Sequence, residues 1–314
     1  MANHKFSTTT NITTTYAGEA AAGYIAAALL SGSTLANNLI TVKPNIPLKQ
    51  VVKKVALTNI LKDASCDFLP TGTLTLTDRV IQPKELDVNL QFCKTDFLQD
   101  WEASQVGYGL NTSMPSSLSD FILGRVASQI AASVETSIWV GGDTDGAFEG
   151  FTSLLAADSD VIDVSGTTVT ASNVQVEMRK VTALIPDTLY GNEDLILYVS
   201  RNVMQAYIES LGGYGSSGLG ANGIQGMGSL WYNRNTPLSI DGIKVVLAAG
   251  LTSNKMVCAQ ASNLWFGTGL INDLNQVQLI DMSPIDGSLN VRYVARFKAA
   301  VQFGIGSEIV YYTA

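Results

Sequence analysis

Histidine is the first limit on the chemistry open to this chain: there is one, His4, in a threonine- and asparagine-rich start. A Ser-His-Asp triad, a Cys-His pair and a His-ligated zinc site all lose their central part. Gly213-Tyr-Gly215-Ser-Ser-Gly218 matches G-x-G-x-x-G letter for letter. A dinucleotide site needs that motif between a strand and a helix, so that amides face the pyrophosphate. Here it follows a helical pattern and runs on into further glycines, which reads as a loop. Asp143 and Asp145, within Gly142-Asp-Thr-Asp-Gly146, have part of the spacing of a calcium loop but lack its third ligand and closing Glu. A turn accounts for them. Glu193 and Asp194 are placed to act as acid and base only if buried, and their polar surroundings mark a solvated turn.

Other constellations have equally plain readings. Cys66, Cys93 and Cys258 form no C-x-x-C pair and suit buried, reduced thiols. Trp139, Trp231, Trp265 and Phe266 would make a carbohydrate platform if exposed together, but their strand-like neighbours favour core packing or a subunit contact. Arg292, Arg296 and Lys298 alternate along one strand pattern, a spacing that fits phosphate contacts or a solvated or intersubunit face equally well. No catalytic, cofactor-binding or metal residue is assigned, and the reading is non-enzymatic.

The composition asks for something else. Of 314 residues, 46% are apolar and only 15% charged, against about 25% charged in an ordinary globular protein. That excludes intrinsic disorder and leaves few charges to cover the surface of a free monomer. The net charge of -8 argues against a basic face gripping nucleic acid. No apolar run reaches the ~18 residues of a membrane span, and Ala20 to Leu30 reads as a short packing helix rather than a signal peptide.

The elements that would position these residues follow from periodicity. Residues 1–47 read as an arm, with a short helix near Ala17 to Leu30 and extended chain through Ile40, Pro44 and Pro47. Val51 to Leu57 and Thr73 to Val80 are extended runs around a turn at Pro70-Thr71-Gly72, a protruding hairpin. Leu86, Val88, Leu90 and Phe92 alternate as a strand with one buried face. From Ser116 to Trp139, apolar residues recur every four positions (Leu118, Ile122, Val126, Ile130, Val134, Ile138), a long helix closed by Gly141-Gly142. Helices are expected over Ser172 to Ile185, and after Ser200 as N-cap as far as Gly212. Leu195 to Val199 is a buried strand, 212–229 a glycine- and serine-rich loop, and strands follow at Ile243–Leu247, Met256–Ala259 and Val277–Ile280. Leu289 to Phe303 alternates without a break, and Glu308 to Tyr312 is expected to fold back on it. The class is α+β.

This order of elements resembles the major capsid proteins of tailed bacteriophages, the Hong Kong 97-type fold. The likeness rests on Leu118–Ile138 followed by Trp139-Val-Gly-Gly142, on Phe148-Glu-Gly150-Phe151, and on Leu238-Ser-Ile-Asp-Gly242-Ile-Lys-Val-Val246. It continues through Asn254-Lys-Met256, Asn263-Leu-Trp-Phe266-Gly267-Thr268 and the closing strands of 276–312. Thr268 stands where the family commonly has an acid.

The resemblance implies an N-terminal arm (1–47), an extended hairpin loop (48–83), a first peripheral part (84–155) with spine helix 116–139, an axial domain (156–250) and a second peripheral part (251–314). It implies a shell of pentamers and hexamers that encloses double-stranded DNA without sequence-specific contacts. Such a shell is assembled in the bacterial cytoplasm, with a portal protein and possible scaffold or decoration proteins as partners and no membrane or cofactor. An encapsulin-like nanocompartment shell is the alternative, and a soluble enzyme a third reading.

Overall fold

The computed structural model describes residues 15–16, 33–58, 61, 63, 72–93, 116–142, 144, 146–212, 238–269 and 278–314. Its strands are β1 (Thr15–Tyr16), β2 (Thr41–Lys43), β3 (Gln50–Thr58), β4 (Thr73–Ile81), β5 (Lys84–Cys93), β6 (Ile162–Ser165) and β7 (Leu195–Val199), then β8 (Ser239–Ile240), β9 (Ile243–Leu247), β10 (Met256–Gln260), β11 (Leu264–Thr268), β12 (Gln278–Asp281), β13 (Asn290–Phe303) and β14 (Val310–Thr313). Its helices are α1 (Ser33–Ala36), α2 (Ser116–Val140), α3 (Phe151–Ala157), α4 (Val174–Thr182), α5 (Arg201–Gly212) and α6 (Ser283–Asp286). The helix expected near Ala17–Leu30, the turn at Pro70-Thr71 and the loop from Gly213 to Gly228 lie outside the described residues.

The chain divides into two compact units, Met1–Leu30, Glu85–Ala131 and Leu270–Phe297 in the first, Ser31–Lys84, Ala132–Gly269 and Lys298–Ala314 in the second. In the first, β12 pairs antiparallel with β1 and with the start of β13, where Asp281 faces Val291. The four residues of α6 turn the chain between β12 and β13, and Gly287, at φ 75°, closes that turn with its amide on the Ser283 carbonyl. On β13, Val291, Tyr293, Ala295 and Phe297 are buried while Arg292 and Arg296 face outward, the alternation the sequence predicts. The expected buried face of β5 is only partly so. Leu86 is buried, Val88 and Phe92 are half-buried, and Leu90 is 46% exposed.

The second unit centres on a sheet in the order β6-β14-β10-β7-β9-β8. The alternate residues Leu195, Leu197 and Val199 of β7 pack with Val174, Met178 and Val181 of α4 and with Val203 and Tyr207 of α5. From the opposite face Tyr198 meets Trp139 of α2, ring centroids 5.1 Å apart, and Trp139 meets Phe151 at 5.5 Å. A strand covered on both sides has no polar face to show, which is why Leu195 to Val199 reads as an unbroken apolar run. Asp241 and Gly242, both at positive φ (49° and 81°), make the tight turn between β8 and β9 that such a dipeptide favours. The second unit also holds the end of β13, where Ala299 to Phe303 pair antiparallel with β11, and β11 pairs in parallel with β2.

One expectation needs correcting. β14 does not fold back on β13: it lies between β10 and β6, antiparallel to the first and parallel to the second. Val310 and Tyr312 on one face and Ile309 and Tyr311 on the other are all buried, as an interior strand requires, and nothing in 308–312 says which sheet it joins. Ser200 stands at the N-cap position of α5, as the sequence predicts. Its hydroxyl donates to Asn202 Oδ1 at 2.7 Å, and its carbonyl accepts from Met204 N–H.

Candidate assembly surface

Among the described residues, a two-stranded ribbon of the second unit stands apart from its larger sheets. β3 and β4 pair antiparallel over nine residues each, from Gln50 opposite Ile81 to Thr58 opposite Thr73, and among the described residues no third strand joins them. At about 3.3 Å per residue the blade is roughly 30 Å long. An isolated two-stranded ribbon is marginal in water, and each outer edge presents a row of backbone donors and acceptors. The other outermost strands of this unit are short, with two residues in β8, three in β2 and four in β6. Short edges are a common protection against edge-to-edge pairing. The blade's strands, at nine residues each, are not shortened in this way.

Its root, by contrast, is fixed. Ile81 is buried with Ile46 and Ala300, against which Trp265 packs. Gly267 sits so close that a Cβ there would lie 2.6 Å from Ile81 Cδ1, so any larger residue on β11 would push the Ile81 side chain aside. Arg79 pairs with Asp158 and lays its guanidinium 4.4 Å from the Phe303 ring centroid. Gln302 Nε2 donates to the Val80 carbonyl at 3.1 Å. Apolar side chains stand exposed beside it all the same: Leu48 is 76% exposed and Leu61 91%, with Val51 and Val80, paired next to the root, also exposed. Apolar side chains and open edges on one firmly rooted blade are the properties of a surface that another chain covers.

The residues that sequence chemistry singles out do not converge. Glu193 and Asp194 are exposed, and Asp194 Oδ2 accepts the Ser262 N–H at 3.1 Å. Asp143, Asp145, Trp231, Cys66, His4 and the Gly213–Gly218 motif lie outside the described residues. Trp139 and Phe266 are buried in the core, while Trp265 is half-buried with the Lys43 ammonium 3.5 Å from its ring centroid. The cations of β13 are engaged within the chain: Arg292 Nε donates to Gln91 Oε1 at 2.9 Å, Arg296 lies 3.4 Å from Asp87, and Lys298 Nζ donates to the Pro47 carbonyl at 3.2 Å. Burial pushes the Cys258 thiol up to about 12, which keeps it protonated and inert at neutral pH.

Sequence reasoning missed the buried carboxylates, Glu177 and Glu135 foremost. Glu177 on α4 accepts both from Lys180 Nζ at 2.9 Å and from the Tyr312 hydroxyl at 2.8 Å, with Thr167 Oγ1 at 3.1 Å. Burial alone would raise its pKa, but the hydrogen bonds from Lys180, Tyr312 and Thr167 outweigh that and hold it below the ordinary carboxylate value. Glu135 lies on the buried side of α2, beside Val134, Ile138 and Trp139. The available signal was an acid next to the apolar row of a long helix.

No family model matches the sequence, and no curated protein does. Solved structures do resemble it. A chain of the satellite phage P4 procapsid, which includes a size determination protein, is 10% identical with a TM-score of 0.57, over 93% of this chain and 98% of that one. A structure of Gordonia phage Cozz is 13% identical with a TM-score of 0.56, over 90% and 86%. The capsid of an empty GTA particle is 12% identical with a TM-score of 0.57, over 88% and 89%. The mixed helix-and-strand fold of this chain is therefore one that phage capsid structures share, as the order of elements in the sequence implies.

Proposed function

We propose that the chain is the major capsid protein of a tailed bacteriophage, a structural subunit whose copies close into the icosahedral head around double-stranded DNA. The observation that carries this reading is the fold likeness to capsid structures along nearly the whole chain. The exposed blade supports it independently, because its open edges and apolar side chains need partners that the subunit lacks. In this reading 1–47 is the arm, 48–83 the extended loop, and 84–155 with 251–314 the peripheral domain around spine helix 116–139. Residues 156–250 form the axial domain. Pentamers and hexamers supply the closed symmetry that removes free edges, and many modest contacts add up to a durable particle. A portal protein completes the head, with scaffold or decoration proteins as further partners, and the shell forms in the host cytoplasm and ends in the virion. The net acidic chain holds its genome by enclosure rather than by gripping it.

The nanocompartment alternative gains no observation of its own. Light scattering of the purified chain tests the main reading together with a deletion of residues 48–83. The full chain is expected as a large particle and the deletion as a soluble, shell-incompetent subunit. Normal particles from the deletion would remove the blade from the account.

A further inference from the structure

We infer that Thr34, Glu135 and Trp139 form a buried polar key that selects the register in which β2 joins its sheet. The Glu135 carboxylate accepts from Ser33 Oγ at 3.1 Å, from the Thr34 amide at 3.1 Å and from the Thr34 hydroxyl. The Trp139 indole N–H donates to that same hydroxyl oxygen at 2.9 Å. Thr34 and Trp139 are fully buried and Glu135 is 6% exposed. Among the described residues no cation stands beside Glu135, and its donors come from Ser33 and Thr34 alone. The place between carboxylate and indole therefore calls for one small group that both donates and accepts, which is a hydroxyl.

The strand that follows needs such a key. β2 has three residues, Thr41, Val42 and Lys43, opposite Trp265, Phe266 and Gly267. A slip of two residues returns every side chain of a strand to its own face, so three residues are too few to select their partners. That same slip brings Gly32 or Ala36 to the place of Thr34, and neither has a hydroxyl. The segment is firmly tied elsewhere, but mostly through groups that every residue carries. The Tyr198 hydroxyl donates to the Leu39 carbonyl, and the Asn45 and Ile46 amides donate to the Gly269 and Thr268 carbonyls at 3.2 and 3.0 Å. Thr41 Oγ1 donates to the Ala261 carbonyl at 3.1 Å. The Ile46 side chain, packed with Ile81 and Ala300, marks the far end, and the key marks the near one.

A carboxylate buried among neutral donors contributes little adhesion once its desolvation is counted. It discriminates strongly, because any placement that removes its donors leaves it buried and unsatisfied. In the shell proposed above, one register gives every copy the same point of departure for the residues before Ser33. That consequence rests on the shell reading, whereas the key does not.

The test ranks two variants of the full-length chain by two measurements, denaturant midpoint and hydrogen exchange by mass spectrometry over peptides containing Thr41–Lys43. Leu35→Ala removes a buried apolar contact of the same segment and is expected to lower the midpoint more than Thr34→Val does. Thr34→Val is expected to speed exchange over Thr41–Lys43 at least about tenfold, and more than Leu35→Ala, with Leu195–Val199 and Met256–Gln260 unchanged. Thr34→Ser, which keeps the hydroxyl, should restore the wild-type rate. A key ranks the two variants oppositely in the two measurements, and a merely adhesive contact ranks them alike. Should Thr34→Val not fold, Glu135→Gln takes its place in the same ranking. The same order in both measurements would overturn the proposal, as would wild-type exchange over Thr41–Lys43 in Thr34→Val. Exchange is read within one chain, so either failure leaves the shell reading standing.

Discussion

Glu177 ties three pieces of the second unit together: α4, the Thr167 turn and the C-terminal strand β14. Gly166 belongs to the same arrangement, since a Cβ there would fall 2.0 Å from the Tyr312 hydroxyl oxygen. Because the folded carboxyl is held below its ordinary value of 4.5, its contribution is fully present above about that pH. It is lost as pH falls through the lower, folded value. Thermal unfolding measured across pH 3 to 6 should therefore show a stability loss at the acid end that Glu177→Gln makes shallower. An identical slope in the variant would mean that other carboxylates carry the acid response. Glu177→Ala, which removes the shared acceptor of Lys180, Thr167 and Tyr312 and leaves the Tyr312 hydroxyl only the Thr167 carbonyl, is expected to cost about 1–3 kcal/mol at neutral pH, read from chemical denaturation. None of this was legible in advance, because Thr167, Glu177 and Tyr312 are brought together by β14 entering a sheet that its own sequence does not indicate.

At the scale of elements, the exit from α2 is the most constrained place in the second unit. The amide of Gly150 donates to the Gly141 carbonyl at 2.6 Å. A Cβ at Gly141 would lie 2.1 Å from the Phe148 carbonyl oxygen, and one at Gly150 would lie 2.6 Å from that of Ser137. These contacts are backbone on backbone, so no side-chain rotation relieves them. Gly141→Ala or Gly150→Ala should destabilise by more than about 3 kcal/mol, measured by denaturant midpoint. Along the helix itself, Val134 is buried and Val126 only half-buried. Val134→Asp is expected to abolish soluble expression, and Val126→Asp to be tolerated with a smaller loss. A row repeating every four residues drifts around a 3.6-residue helix, so a strict count places Val126 deeper than it lies. Long periodic elements such as α2 and β13 are readable because dozens of residues repeat one instruction. The short β2, β6 and β8 are not, because two to four residues carry no period and their pairing is decided by the body they meet.

For the molecule as a whole, the sequence speaks through what it lacks. A charged fraction of 15% implies surface that other chains cover, and the fold places exposed Leu48, Val51, Leu61 and Val80 on or beside a ribbon with two open edges. The hairpin was legible because its two extended runs are long and nearly equal. Its openness was not, because edge exposure is a property of the finished sheet. The uncovered blade supports the proposed shell subunit, whose work would be contact with copies of itself. Electron microscopy of the purified full-length chain, at micromolar concentration and without partner proteins or nucleic acid, tests that claim most directly. Closed hollow particles of uniform diameter are the predicted result; a population of single compact subunits across the whole concentration range would contradict it.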